Sequence, residues 1–213
     1  VFLGRALQTV NPADASVGAS QVADTLISGK TALAATPADT DEFLISDAGT
    51  LKRIDYSYIK GGGITVADQF RVTAAITSNQ DPITSNIERI DTAGQAGLTD
   101  NQMSVSSGIF TFPLTGIYLV SGFATGTTAG GGDNITLNIS ATTDNSNYNI
   151  VAAGTDGSAG RSSHYTCQTL IDVTDTSNVK VKFVAGSIAS GSQFNGSTDY
   201  NQTCFTFIRL ADT

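Results

Sequence analysis

The sequence predicts an all-β protein, an antiparallel two-sheet sandwich over residues 67–213 with an extended arm in front of it. Three observations predict this. After Gly61-Gly62-Gly63, short apolar runs alternate with clusters of Gly, Asn, Asp and Ser at a spacing typical of sandwiches. No amphipathic helical pattern interrupts those runs. Charged residues make up only 14% of the chain while Thr, Ser, Asn, Gly and Val abound, a composition that suits strands and turns.

At 213 residues and 40% hydrophobic, the chain is long enough for one substantial core plus an appendage, and too short for two full-sized domains. The boundaries follow from the triple glycine: residues 1–60 form an N-terminal anchoring and trimerisation arm, 61–66 a glycine-rich linker and 67–213 the head. A formal net charge of −8 argues against a nucleic-acid surface, which needs clustered Lys and Arg to neutralise phosphates. No apolar run is long enough to cross a bilayer, so no membrane partner is expected. The opening VFLGRALQTVNPAD lacks a signal-peptide pattern, and the missing Met is what a processed or longer product would show.

In the arm, residues 1–19 have no sustained period and read as extended chain. Ser20 is placed to cap a short helix over 21–27, with Gly29 closing it. Two strand-like runs, 42–46 and 51–58, flank Asp47-Ala48-Gly49-Thr50 and predict a β-hairpin. Such an arm buries too little apolar surface to offset its own conformational entropy, so it must pack on copies of itself or on a host structure.

In the head the predicted strands are 67–76, 86–91, 101–112, 116–125, 134–141, 147–153, 162–173, 178–185 and 201–210. Some alternate simply. Ile135, Leu137 and Ile139 are interleaved with Thr136, Asn138 and Ser140, and Val179, Val181 and Phe183 with Lys180 and Lys182. Those strands bury one face and wet the other. Strand 116–125 differs, since Tyr118 and Val120 share one face while Ile117, Leu119 and Phe123 share the other. The last strand repeats this, with Phe205 and Phe207 opposite Cys204, Ile208 and Leu210. A strand apolar on both faces needs two covers, and with no helix in the pattern a neighbouring subunit is the simplest second one. The candidate interface is therefore Ile117, Leu119, Phe123, Cys204, Ile208 and Leu210, and the candidate core Phe110, Tyr118, Phe205 and Phe207. Cys167 and Cys204 fit either a single disulfide or two buried thiols, and their apolar strand settings favour thiols.

The stretch from Gly108 to Tyr118, GIFTFPLTGIY, carries Gly108, Phe110, Pro113, Gly116 and Tyr118 in a Gly-x-Phe-x-x-Pro-x-x-Gly-x-Tyr pattern. It resembles the signature of the complement component 1q globular head, a family with the tumour-necrosis-factor-like (TNF-like) jelly roll. Leu170-Ile171-Asp172-Val173 with Val179-Lys180-Val181 resembles that family's late strand pair. Cys204-Phe205-Thr206-Phe207-Ile208-Arg209-Leu210 resembles its closing strand, except that Phe207 stands where a small residue is usual. The likeness covers residues 67–211 and implies a jelly-roll homotrimer with the inner sheet at the threefold axis. Relatives of this fold bind calcium near that axis, but no spaced ligand loop singles out residues for it here, and no other cofactor is expected. A second stretch, ADTDEFLISDAGTLKRI over residues 38–54, resembles a segment recurring in bacteriophage tail- and head-fibre proteins, especially marine ones. The implied role is structural, on the surface of a virion, with residues 1–60 bound to other virion proteins and the head meeting a host-surface glycan or reinforcing the shell. The alternative is a secreted glycan- or protein-binding module with the same head.

Enzymatic readings find little footing. Gly29-Lys30-Thr31 lacks the glycine that a phosphate loop requires five positions earlier, where Asp24 stands. His164 is the sole histidine, and its neighbours make it a rim residue rather than a catalytic base. Asp133, Asp144, Asp156 and Asp175 fall in turns, where their side chains brace the local backbone. Asn134, Asn138, Asn195 and Asn201 begin Asn-x-Ser/Thr triplets that chance supplies in so Asn- and Thr-rich a chain. The loops placed to touch a partner are 126–134, 144–148, 154–161 and 186–200. Tyr148, Arg161 and Tyr200 are their candidate contacts, because Tyr and Arg dominate binding hot spots.

Overall fold

The computed structural model describes residues 28–59, 63–129, 134–156 and 162–213. The helix expected over 21–27, Asp133 and Arg161 lie outside them. The chain divides between residues 61 and 62 into two compact units.

The first unit contains a hairpin of β1 (Glu42–Asp47) and β2 (Thr50–Asp55), paired from Glu42↔Asp55 to Asp47↔Thr50. Its two loop residues, Ala48 and Gly49, have φ of 49° and 86°, the positive-φ pair of a type I′ turn whose twist matches that of the strands. A single helical turn, α1 (Tyr56–Ile59), takes the place of the end of the expected second strand. The Tyr56 amide donates to Asp41 O at 2.7 Å and so ties this turn back to the start of β1.

The second unit is a two-sheet antiparallel sandwich. Its strands are β3 (Ala67–Val72), β4 (Ile87–Arg89), β5 (Ser104–Ser106), β6 (Ile109–Thr111), β7 (Gly116–Thr127), β8 (Ile135–Thr142), β9 (Asn149–Asp156), β10 (Ser162–Val173), β11 (Lys180–Gly186), β12 (Gln193–Phe194) and β13 (Thr203–Ala211). One sheet has the order β10-β7-β13-β3-β4, with β12 also on β7, and the other the order β5-β6-β11-β8-β9. The head begins before residue 67: Val66 is fully buried, and its carbonyl accepts the Arg209 amide at 3.0 Å.

The expected strand 101–112 is two strands. Ser107 and Gly108 both take positive φ, 48° and 77°, and fold β5 onto β6 as a tight hairpin. A Cβ at Gly108 would collide with the Ile83 carbonyl, so glycine is needed there for space as well as for its dihedral. Gly116 opens β7 at φ 140°, where a Cβ would lie 2.5 Å from Ala211 O. β12 has no counterpart in the sequence reading, since two residues carry no period.

The core is aromatic. Phe110 of β6 meets Phe70 edge-on at 5.2 Å, Phe183 at 5.6 Å and Phe205 at 5.9 Å, while Phe183 and Phe205 stack across the sheets at 3.9 Å. Phe110, Tyr118, Phe205 and Phe207 are all 0% exposed. The Tyr118 hydroxyl donates to Leu114 O at 2.9 Å, and burial raises its pKa above the usual tyrosine value. Burying each such ring stabilises the head by about 1.5–3 kcal/mol.

Among the described residues one carboxylate lies inside this apolar unit. Asp68 is 2% exposed and accepts Arg89 Nε at 3.0 Å, Arg89 Nη2 at 3.1 Å and the Met103 amide at 2.9 Å. The Arg89 guanidinium also sits 4.8 Å over the Phe70 ring. Replacing Arg89 by Met strands a buried charge, so the head is expected to lose about 3 kcal/mol in urea unfolding. An unchanged midpoint would show that the backbone amides alone satisfy Asp68.

Both cysteines are free thiols. Alternation along paired strands explains why: Cys167 lies in register with Gly122, on the core side, while Cys204 lies in register with Phe123, on the opposite side of the sheet. Burial pushes each thiol up to about 11. Neither is expected to react with a thiol reagent at pH 8 until the chain is unfolded, when both should. Rapid labelling of the folded protein would contradict this packing.

Candidate functional site

The surface that stands out is the side of the β10-β7-β13-β3 sheet turned away from the core. Along β7 the even-numbered residues Tyr118, Val120 and Ala124 are buried, while Ile117, Leu119, Ser121 and Phe123 are only half-buried. Strand register sets these outward residues in rows. Leu170, Leu119, Ile208 and Ala67 form one row, and Gln168, Ser121, Thr206 and Gln69 the next. Thr166, Phe123, Cys204 and Arg71 form a third. A polar row thus separates two that carry large apolar groups. Leu170 is 60% exposed, and the His164 ring stacks on Phe123 at 5.9 Å.

Two expected interface residues sit differently from the others in the single chain. Cys204 is 8% exposed in the single chain, so it has almost no surface left to lose to a partner. Leu210 is the extra residue of a β-bulge between Arg209 and Ala211, which removes it from the alternation that Ile208 obeys. At 55% exposed it lies beside the rows rather than within them.

The β3 margin of this face is closed by polar groups. Arg71, 0% exposed, donates from Nε to Glu88 at 2.6 Å, from Nη1 to Thr92 Oγ1 at 2.7 Å and Gln95 Oε1 at 3.1 Å, and from Nη2 to Asp91. Asn201 Nδ2 donates to Gln69 Oε1 at 2.6 Å, and Gln69 Nε2 to Thr206 Oγ1 at 2.6 Å. The open part of the face is therefore its β10-β7-β13 portion. Sequence reading missed Arg71 and Gln69; the available signal was a cationic residue between Phe70 and Val72 in an apolar strand.

Tyr148 is half-buried, with Lys182 Nζ 4.8 Å from its ring centre and Lys182 itself paired to Asp81 at 2.6 Å. Burial first, and then the Asp144 charge, raise the Tyr148 pKa. It packs on β11, in the other sheet from β13. Tyr200, just before β13, is 59% exposed and accepts Gln202 Nε2 at 3.2 Å. Asp144 caps its own turn, accepting the Asn147 amide at 2.8 Å and the Ser146 amide at 2.9 Å, and these bonds hold its carboxyl well below the usual range. Asp175 does the same with the Ser177 amide at 2.7 Å. Among the described residues no three His, Cys, Asp or Glu side chains converge as a metal site.

A search of solved structures places this architecture. The Eiger TNF of S. frugiperda matches with a TM-score of 0.53 at 12% identity, over 71% of this chain and 96% of that one. Murine APRIL at pH 5.0 matches with a TM-score of 0.52 at 8% identity, over 68% of this chain and 98% of that one. The head is a TNF-like jelly roll. The globular domain of zebrafish complement 1qA protein aligns at a TM-score of 0.48 and 12% identity, too low a score to bear weight. No family model matches the sequence, and no curated protein does. At these identities the likeness is one of fold alone.

In this TNF-like head the arginine clamp predicts a local effect. Arg71→Leu removes the donor shared by Glu88, Asp91, Thr92 and Gln95, so amide exchange over residues 91–97 is expected to quicken roughly tenfold or more while the aromatic core stays protected. Unchanged exchange there would mean that the segment holds itself.

Proposed function

We propose that the protein is a non-enzymatic structural component of a bacteriophage particle: a head fibre, a capsid decoration or part of a tail fibre. In this reading three TNF-like heads associate through the open portion of the inner sheet, and residues 1–60 attach the trimer to other virion proteins. The head then projects from the virion surface, for adhesion to a host-surface glycan or for reinforcement of the shell. The observation that carries the reading is the row Leu170-Leu119-Ile208, apolar and turned away from the core that the same strands build. Burying such side chains between copies contributes about 1.5–3 kcal/mol each. Summed over three copies, that competes with the cost of association. The likeness of residues 38–54 to fibre-protein segments, and the arm-then-head order, support placement on a particle.

A secreted recognition module with the same head is the alternative, and it predicts glycans on Asn138 or Asn201. The Asn201 amide nitrogen already donates to Gln69, which speaks against that modification.

Light scattering of the full chain is expected to give three times the 21.9 kDa chain mass. Ile117→Asp, Ile208→Asp and Leu170→Asp are each expected to give folded monomers, because each places a charge in the contact. Leu170, being 60% exposed, is the substitution least able to disturb the single head. A trimer that survives all three would remove the proposed interface, and absence of the chain from purified particles would remove the virion placement.

A further inference from the structure

The hairpin of the first unit is apolar on both faces. Phe43, Ile45 and Ile54 share one face, and Leu44 and Leu51 the other. Phe43 and Ile45 are 40% and 38% exposed, Leu44 and Leu51 74% and 70%. Among the described residues the Phe43 ring pairs with the Tyr56 ring, at 6.1 Å. Each face also carries one internal ion pair, Lys52 with Asp47 on the first and Arg53 with Glu42 on the second, so stacking the faces desolvates charges that already have partners. Asp55 stands at the open end, opposite Glu42. A lone two-stranded hairpin is marginal in water, and this one needs two covers of different shape.

We infer that residues 42–59 form a collar with the same residues of two other copies, the Phe43-Ile45-Ile54 face of one hairpin packing on the Leu44-Leu51 face of the next. Contact between two unlike faces is heterologous and closes into a ring only when the rotation between neighbours closes, a condition that three associated heads impose. The inference rests on the threefold association of heads proposed above, which also decides the occupant. The peptide from Ile59 to Ile64 reaches at most about 18 Å, so three associated heads hold their hairpins at an effective concentration on the order of millimolar. A separate protein present at micromolar concentration competes poorly with that. The collar also divides the arm: anchoring to the particle falls to residues before 42, and the hairpin serves to join the three copies.

Hydrogen exchange on the full chain tests this. In the wild-type trimer the β1–β2 amides are expected to exchange at least about 100-fold more slowly than in a Leu44→Asp/Leu51→Asp variant, whose trimeric mass should be unchanged. In the Leu170→Asp monomer the hairpin sequence is intact, yet the same protection should vanish. Equal protection in monomer and trimer would overturn the collar, and so would an unprotected hairpin in a wild-type trimer. A monomeric wild-type chain would overturn both the collar and the threefold association of heads.

Discussion

A β-strand shows successive side chains to opposite faces, and β7 has large apolar groups for both. Tyr118 and Val120 are consumed by the core, leaving Ile117, Leu119 and Phe123 on the far side with no layer of the described chain over them. β13, hydrogen-bonded beside it, has the same property through Phe205 and Phe207 on one face and Ile208 on the other. The architecture answers one face with the second sheet. No layer of the described residues answers the other, and it is on this face that the proposed association of heads rests.

The aromatic core makes that outward face rigid enough to be a surface. Phe110, Phe183, Phe205 and Phe207 lock the two sheets through edge-on and stacked contacts, so the rows on the far side inherit a fixed spacing. Polar groups define its borders. The Arg71 clamp and the Asn201–Gln69–Thr206 chain occupy the β3 side, and their hydrogen bonds are already made within one head. What stays open is apolar with a single polar stripe, a pattern that favours one register of contact over many.

The arm poses the same problem at smaller scale. Its hairpin has good turn chemistry and paired charges, yet among the described residues no second layer covers it. Local signals suffice to shape it and are insufficient to stabilise it, which is the ground on which the proposed collar rests.

The sequence by itself determined the features that depend on neighbours along the chain. Period-two alternation set which side chains of β7, β8, β11 and β13 face inward. Asp47-Ala48-Gly49-Thr50 specified a hairpin turn, and the Gly108-to-Tyr118 pattern marked where β7 begins. The Ser107-Gly108 turn was equally local, and its signal was overridden by the apolar residues on either side. Tertiary structure alone decided the rest: the clamp on Arg71 by residues 17 to 24 positions away, the burial of Val66, the bulge at Leu210 and the packing of Tyr148 on Lys182. Each of these depends on strands distant in sequence lying side by side. A periodic pattern fixes the face a side chain takes, but what stands over that face is fixed only once the sheets have closed.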